Sequence, residues 1–271
     1  MTLTELVRLT LAEDVGPGDV TTHACVDPRV NGRARVYAKE PLVVSGHEAA
    51  AEVFRQLECT YTRGPPEGDW ALEGETVATI DGPLSGILTG ERAALNFLMR
   101  LSGIATHVRC ITDVAPSLNV VDTRKTTPLH RSLEKAAVRD GGGGNHRFGL
   151  FDGVLIKDNH IVAAGGIRMA VVLARARVHP LLRVEVEVES LAELEEAIDA
   201  GADDILLDNM DDAMLVAAVR ITAGRARLEV SGGITPQRLP GLAALGVDRI
   251  SMGGLIHQAR WVDLSLRVLP R

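Results

Sequence analysis

The pattern of apolar and polar positions changes near residue 103. In the first third, Gly32 to Lys39 alternates in polarity as a half-buried strand does, and His47 to Glu58 carries the wider spacing of a helix. Short strand-like pieces follow at Thr60 to Arg63, Thr76 to Ile80 and Gly86 to Leu88. Turns punctuate them at Pro65-Pro66, Glu67-Gly68-Asp69 and Asp81-Gly82-Pro83. Strands in runs, rather than alternating with helices, predict an α+β domain. Thr89 is placed to cap a long helix whose Leu95, Leu98, Leu101, Ile104, Val108 and Ile111 form one stripe and lead into a second domain.

From Asn119 the rhythm becomes strand, loop, helix. The predicted strands are Val120–Thr123, Val154–Ile156, Arg183–Val188, Ile205–Leu207, Leu228–Val230 and Arg249–Ser251. The predicted helices between them are Leu129–Arg139, Ile167–Arg177, Leu191–Ala200, Ala213–Ile221 and Pro236–Ala244. Repeated βα units with Val, Ile and Leu strands indicate a parallel sheet covered on both faces. Six strands fall short of the eight of a full barrel, so either one or two strands escape the pattern or the barrel is incomplete. An open doubly wound sheet is the alternative, but no Gly-x-Gly-x-x-Gly follows the first strand. The expected class is therefore α/β: an N-terminal α+β sandwich with a linking helix over residues 1–103, then an incomplete TIM-like α/β barrel carrying the active site over 104–271.

Composition narrows the function. Of 271 residues, 29 are Lys or Arg and 36 are Asp or Glu, for a net charge of −7, and only eight are aromatic. Such a chain is a poor nucleic-acid binder, and its broken apolar runs predict no membrane span. Three scattered cysteines, Cys25, Cys59 and Cys110, fit neither a disulfide framework nor a zinc site. With no basic segment leading an apolar one at the N-terminus, a cytoplasmic location is expected.

The candidate chemistry lies at the strand ends. They read Asp122-Thr123-Arg124-Lys125, Lys157-Asp158-Asn159-His160, Glu185-Val186-Glu187 with Glu189, Asp208-Asn209, Ser231-Gly232-Gly233 and Met252-Gly253-Gly254. In a βα barrel these ends and their loops form the active site. Residues 122–157 hold seven Lys or Arg against four Asp or Glu, in an otherwise acidic chain. Arg124, Lys125, Arg147 and Lys157, with His146, are candidates to converge on one anion. Arg131, Lys135 and Arg139, inside the intervening helix, read instead as paired surface charge. The run Gly141 to Gly144 reads either as a loop approaching a ligand or as a flexible helix terminus, and the Asn145-His146-Arg147 that follows favours the first.

Glu187 and Asp208 are the candidate metal pair, since hard carboxylate oxygens suit Mg²⁺ bound together with substrate phosphates. Glu185 and Glu189 share Glu187's face, and one of them is free to pair with a nearby Lys or Arg. Ser231-Gly232-Gly233 and Gly253-Gly254, on consecutive late strands, suit a phosphate held by backbone N–H groups. His257 is either a further phosphate ligand or a helix-surface histidine.

These motifs closely resemble the quinolinate phosphoribosyltransferase family. The resemblance rests on Asp122-Thr-Arg-Lys-Thr-Thr-Pro128, Gly-Gly-Gly-Gly-Asn145-His146-Arg147-x-Gly149-Leu150 and Leu155-Ile-Lys157-Asp158-Asn159-His160. It extends to Glu13-Asp14-x-Gly16-x-Gly18-Asp19-x-Thr21-Thr22, Gly90-Glu91-Arg92, Leu101-Ser-Gly-Ile-Ala-Thr106, Leu207-Asp208-Asn209 and Ser231-Gly-Gly233. It implies a two-domain chain assembled as a homodimer or higher homo-oligomer with shared active sites. The implied reaction is transfer of phosphoribose from phosphoribosyl pyrophosphate to quinolinate, with loss of pyrophosphate and CO₂, giving nicotinate mononucleotide on the de novo route to NAD. By position, Arg124, Lys125, His146, Arg147 and Lys157 would bind quinolinate, and Arg92 would reach it from the neighbouring subunit. Glu187 and Asp208 would serve the ribose and Mg²⁺, while Ser231, Gly232, Gly233, Gly253 and Gly254, with His257 nearby, would hold the 5′-phosphate. Lys125, Lys157, Glu187 and Asp208 would form the catalytic set.

One departure stands out: the family commonly has Gly after Thr-Thr-Pro, where this chain has Leu129. Two other readings compete. One is a paralogous family of the same fold associated with molybdate transport, whose pattern around Lys157-Asp158-Asn159-His160 differs. The other is a non-catalytic barrel binding phosphorylated metabolites, which would have no use for inward carboxylates such as Glu187 and Asp208.

Overall fold

The computed structural model describes residues 1–270. In chain order its elements begin with α1 (Leu3–Val15), α2 (Val20–Cys25), β1 (Asn31–Ala38), β2 (Leu42–Val43), α3 (His47–Gln56), β3 (Thr60–Arg63), β4 (Trp70–Ala71), β5 (Thr76–Pro83) and α4 (Leu84–Thr112). Next come β6 (Val120–Val121), α5 (Arg131–Asp140), β7 (Val154–Ile156), α6 (Asp158–Ala164), α7 (Ile167–Arg177), β8 (Val184–Val188) and α8 (Leu191–Asp199). The chain ends with β9 (Asp204–Asp208), α9 (Asp212–Thr222), β10 (Arg227–Ser231), α10 (Leu239–Leu245), β11 (Arg249–Ser251), α11 (Gly254–His257) and β12 (Leu264–Val268). None of the described helices is long and apolar enough to cross a membrane.

Two compact units interleave along the chain. One gathers residues 1–109, 126–142 and those from Leu255 onward; the other holds 110–125 and 143–254. In the first, an antiparallel sheet of order β12-β1-β5-β3 buries Ala34, Val36, Ala38 and Ile80 on its inner face, as the predicted alternation requires. Phe54, Ile87, Leu95 and Leu98 from the helices complete this core. The strand expected at Gly86 to Leu88 is instead the opening of α4, and Thr89 caps nothing: its hydroxyl donates to Asp19 Oδ2 at 3.1 Å. A Cβ on Gly86 would lie 2.5 Å from the Leu57 carbonyl oxygen. Close packing therefore demands glycine there, and that glycine disguises the start of the helix.

The second unit is an all-parallel sheet of order β6-β11-β10-β9-β8-β7. β6 and β7 do not pair, so the barrel has six strands and stays open between its first and second. Val184, Val186, Val188, Ile205, Leu207, Leu228, Val230 and Ile250 are buried on the face that α7, α8 and α9 cover. By the two-residue alternation the other face carries the polar residues. Register sets them in rows: Glu185, Asp204 and Arg227; then Glu187, Leu206, Glu229 and Arg249; then Asp208 and Ser231 at the C-terminal rim.

Several boundaries move. The first predicted barrel strand contracts to Val120–Val121. The helix expected from Leu129 starts at Arg131, because Leu129 has φ +67°, outside the helical region. The helix expected from Pro236 begins as a 3₁₀ turn over Pro236–Arg238 before α10. Among the three residues read as surface charge, Arg139 is exposed but Lys135 is buried beside the equally buried Glu134.

Candidate active site

The inner face and C-terminal rim of the parallel sheet enclose a cavity of about 470 Å³. Arg124, Lys125, His146, Arg147, Lys157, Glu187, Asp208 and Ser231 all line it, together with Thr123, Glu229 and Ser251. The strand-end residues singled out from the sequence thus meet at one place, for the reason that governs βα barrels: each strand delivers its last inward side chain to the same rim.

The cationic side is built by two loops. Asp122, fully buried where β6 ends, accepts from Asn145 Nδ2 at 2.7 Å and from the His146 backbone N–H at 3.0 Å. That carboxylate ties the Asn145-His146-Arg147 segment to the strand that supplies Arg124 and Lys125. Gly144 joins the same edge, donating its N–H to the Val120 carbonyl at 2.8 Å. The glycine run serves this backbone approach, and none of its members lines the cavity. Arg147 Nη1 donates to the Gly153 carbonyl at 3.0 Å, which fixes the guanidinium. Burial first, and then the charge of Arg124, lower the Arg147 pKa from its ordinary value. Two guanidiniums held close enough to oppose each other's charge form a receptor for an anion.

The acidic side differs from the expectation of bare carboxylates. The Lys157 ammonium donates to Glu187 Oε2, so the two form an ion pair across the cavity wall. Asp208 accepts from Asn209 Nδ2 at 2.7 Å. Both carboxylates remain at the cavity, on the adjacent strands β8 and β9. Glu189 lies beyond the strand and is exposed, whereas Glu185 is buried one row deeper and, of these two, is the one that pairs with an arginine, Arg249.

His146 has both ring nitrogens engaged by protein. Its Nδ1 accepts the Arg147 backbone N–H at 2.8 Å, and its Nε2 lies 3.0 Å from Glu185 Oε2. This pattern puts the proton on Nε2, facing Glu185. Burial opposes charge on the ring, but the hydrogen bond to Glu185 and the nearby Glu229 charge outweigh it and raise the His146 pKa. One ligand atom each from His146, Glu185 and Glu229 lie within 4.8 Å of one another. Arg249, however, already donates to both carboxylates, so a dication there would have to displace a guanidinium.

The remaining expected residues lie elsewhere. Gly232 and Gly233, at φ +87° and +57°, border a separate, shallower hollow with Asn209, Asp211 and Arg238. A Cβ on Gly232 would fall 2.2 Å from Asn209 Oδ1, so this turn admits only glycine. Gly253 follows β11 and Gly254 opens α11; neither lines the cavity. His257 is exposed at the end of α11 and belongs to the other compact unit. Arg92, also in that unit, is exposed in the third turn of α4.

Comparison with known proteins accords with this geometry. Residues 19–102 match the family model described as quinolinate phosphoribosyl transferase, N-terminal domain, and residues 104–267 match the corresponding C-terminal domain. A probable nicotinate-nucleotide pyrophosphorylase (carboxylating) of Bacillus subtilis is 40% identical over 272 residues, covering 98% of this chain and 93% of that protein. The solved nicotinate-nucleotide pyrophosphorylase of Francisella tularensis superposes with a TM-score of 0.94 at 39% identity, covering 98% of this chain and 96% of that one. NadC of Streptococcus pyogenes does so at 0.94 and 40% identity, covering 99% and 97%. Domain matches across both halves, together with relatives of near-equal length at about this identity, establish that the chain belongs to the quinolinate phosphoribosyltransferase family.

Proposed function

We propose that the chain transfers phosphoribose from phosphoribosyl pyrophosphate to the ring nitrogen of quinolinate, with loss of pyrophosphate and CO₂, to give nicotinate mononucleotide. The observation that carries this is the two-sided cavity, with Arg124, Lys125 and Arg147 facing Glu187 and Asp208. Quinolinate bears carboxylates on adjacent ring carbons, and the guanidinium and ammonium groups match that doubled negative charge. At the other wall, Glu187 and Asp208 face the sugar, whose C1 gains positive charge as the pyrophosphate departs. Carboxylates fixed beforehand stabilise that charge without reorganising. Lys157, held by Glu187, would join Arg124, Lys125 and Arg147 in binding quinolinate. Ser231 is at the rim where the 5′-phosphate would enter, and the glycine turns after β10 and β11 offer it backbone N–H groups.

Once the ring nitrogen is alkylated, the pyridinium withdraws electrons. The C2–carboxylate bond then breaks, CO₂ leaves, and the pair remaining on C2 takes a proton. Mg²⁺ fits the donor set, because Glu187 and Asp208 present hard oxygens at one cavity. The ion would supply charge neutralisation to the pyrophosphate.

The family pattern further supports a homodimer or larger homo-oligomer in which the exposed Arg92 completes the neighbour's site. Purified protein supplied with quinolinate, phosphoribosyl pyrophosphate and Mg²⁺ should release CO₂ and pyrophosphate in equal amounts; no CO₂ release would overturn the assignment. Nicotinate lacks the second carboxylate and would leave cations of the cavity unmatched, among them the half-buried Arg147. Its kcat/KM should therefore be lower by roughly 10⁴-fold or more, and comparable turnover of the two acids would refute a site built for a dicarboxylate.

A further inference from the structure

Beneath the cavity the barrel interior is charged where barrels ordinarily stack Val, Ile and Leu. Glu185 is 4% exposed and Glu229 1% exposed, and Glu229 also lines the cavity. Arg249 joins them. Its Nε donates to Glu229 Oε2, its register partner on the adjacent strand, and its Nη2 donates to Glu185 Oε1 at 2.9 Å. β11 and β8 are separated in the sheet by β10 and β9, so this second bond spans the barrel interior. Glu185 in turn holds His146, and His146 holds the Arg147 backbone N–H. The third interior carboxylate, Asp204, has its own arginines in Arg183 and Arg227 and lies 3.5 Å from Arg249 Nη2.

A dianion is thus expected to settle directly over two buried carboxylates. Their shared permanent counter-charge is Arg249, a planar fork able to reach both at once, and His146 Nε2 also lies 3.0 Å from Glu185 and 3.5 Å from Glu229. Glu229 Oε1 makes no hydrogen bond and lies 3.5 Å from His146 Nε2; besides Arg249, only His146 and the Ser251 hydroxyl favour its charge.

We propose that Arg249 is a positioning residue for the quinolinate subsite: it cancels the Glu185 and Glu229 charges under the bound dianion and, through Glu185 and His146, fixes Arg147. The proposal rests on the reading of the cavity given above. Arg249 contacts neither substrate. Its effect falls on the dicarboxylate, while phosphoribosyl pyrophosphate meets the opposite wall. Replacing it uncovers buried negative charge at Glu185, beneath His146 and Arg147, together with that of Glu229.

The test is a set of kinetic and calorimetric measurements on wild type, Arg249→Met, Arg249→Lys and the double variant Arg249→Met/Glu229→Gln. Wild type must first bind and turn over quinolinate; if it does not, the functional assignment fails rather than this inference. Arg249→Met should raise KM and Kd for quinolinate about tenfold or more, with KM for phosphoribosyl pyrophosphate moving less than about threefold. Arg249→Lys keeps the charge but cannot fork across both carboxylates, so it should fall between the two. The double variant removes one uncovered charge and should regain a large part of the lost quinolinate affinity. Should Arg249→Met fail to fold, the lysine and double variants carry the comparison. Equal losses for both substrates, or a double variant no better than Arg249→Met, would overturn the proposal.

Discussion

Glu187 pairs with Lys157 and, in the proposed reaction, would also present its charge to the sugar. Glu187→Gln keeps its shape, removes the charge and frees the ammonium. kcat should fall by roughly 10²-fold or more, as it should for Asp208→Asn. Quinolinate binding should survive in both variants, because Arg124, Lys125, His146 and Arg147 are untouched; calorimetric titration with quinolinate alone checks this, and unchanged kcat in both would reduce the pair to a structural role. Leu129 is a different kind of residue-scale problem. At φ +67° and 68% exposed, it holds a left-handed conformation without burying its side chain. Leu129→Gly should stabilise the protein by about 1 kcal/mol and raise Tm by a few degrees. A fall in Tm on scanning calorimetry would show that Leu129 is held by more than its backbone. Single residues were the most legible scale: the strand-end charges announced themselves by type and position. The sequence reading passed over Glu229 and Arg249 because the first sits mid-strand and the second opens its strand, so neither is at a C-terminal strand end. Their inward orientation follows from the same alternation that places Ser231, but only once the strand's register is known.

Elements were legible where one periodicity ruled and obscure where a tertiary contact overrode it. The strands β8, β9 and β10 follow their alternation closely. The start of α4 does not, because glycines at 86 and 90 answer to the neighbouring Leu57 and Phe54 rather than to helix propensity. The loop between β3 and β4 carries a further element-scale consequence. Glu67 Oε1 accepts the His47 backbone N–H at the start of α3, while Oε2 is buried without a partner. Burial, then the charge of Asp140, push the Glu67 pKa up to about 7. A carboxyl whose folded pKa exceeds its unfolded value near 4.5 contributes stability that is complete below pH 4.5. That contribution is lost as pH rises through about 7. Glu67→Gln should therefore be more stable than wild type at pH 8, by about 1 kcal/mol after allowing for partial solvent access, with the difference shrinking towards pH 5. Urea unfolding at the two pH values measures it; a difference independent of pH would exclude titration of Glu67 as its cause.

At the scale of the whole molecule, the assembly proposed for Arg92 gives an outcome that one chain acting alone cannot. Arg92→Ala and Lys157→Ala should each be inactive. Mixed and re-associated as dimers, half of the molecules would carry one of each chain, and each such dimer would have one site with both residues intact. About a quarter of wild-type activity should return. If Arg92 serves its own chain, every site keeps a lesion and mixing restores nothing. This scale was the least legible in the sequence, since the compact unit that holds residues 1–109 and 126–142 takes up the chain again only from Leu255, more than a hundred residues later. No local pattern encodes such a return.

The pairing of β1 with β12 sets an order on the birth of the protein. β1 is among the first strands to leave the ribosome, and β5 can join one of its sides soon after. Its other side waits for Leu264–Val268, more than two hundred residues later. At roughly 5–20 residues per second, that is roughly ten to forty seconds with an unpaired strand edge exposed to other nascent chains. The segment carrying β12 therefore acts as a seal, and a message truncated just before it would release a chain that has every residue lining the cavity but whose first sheet stays open to aggregation.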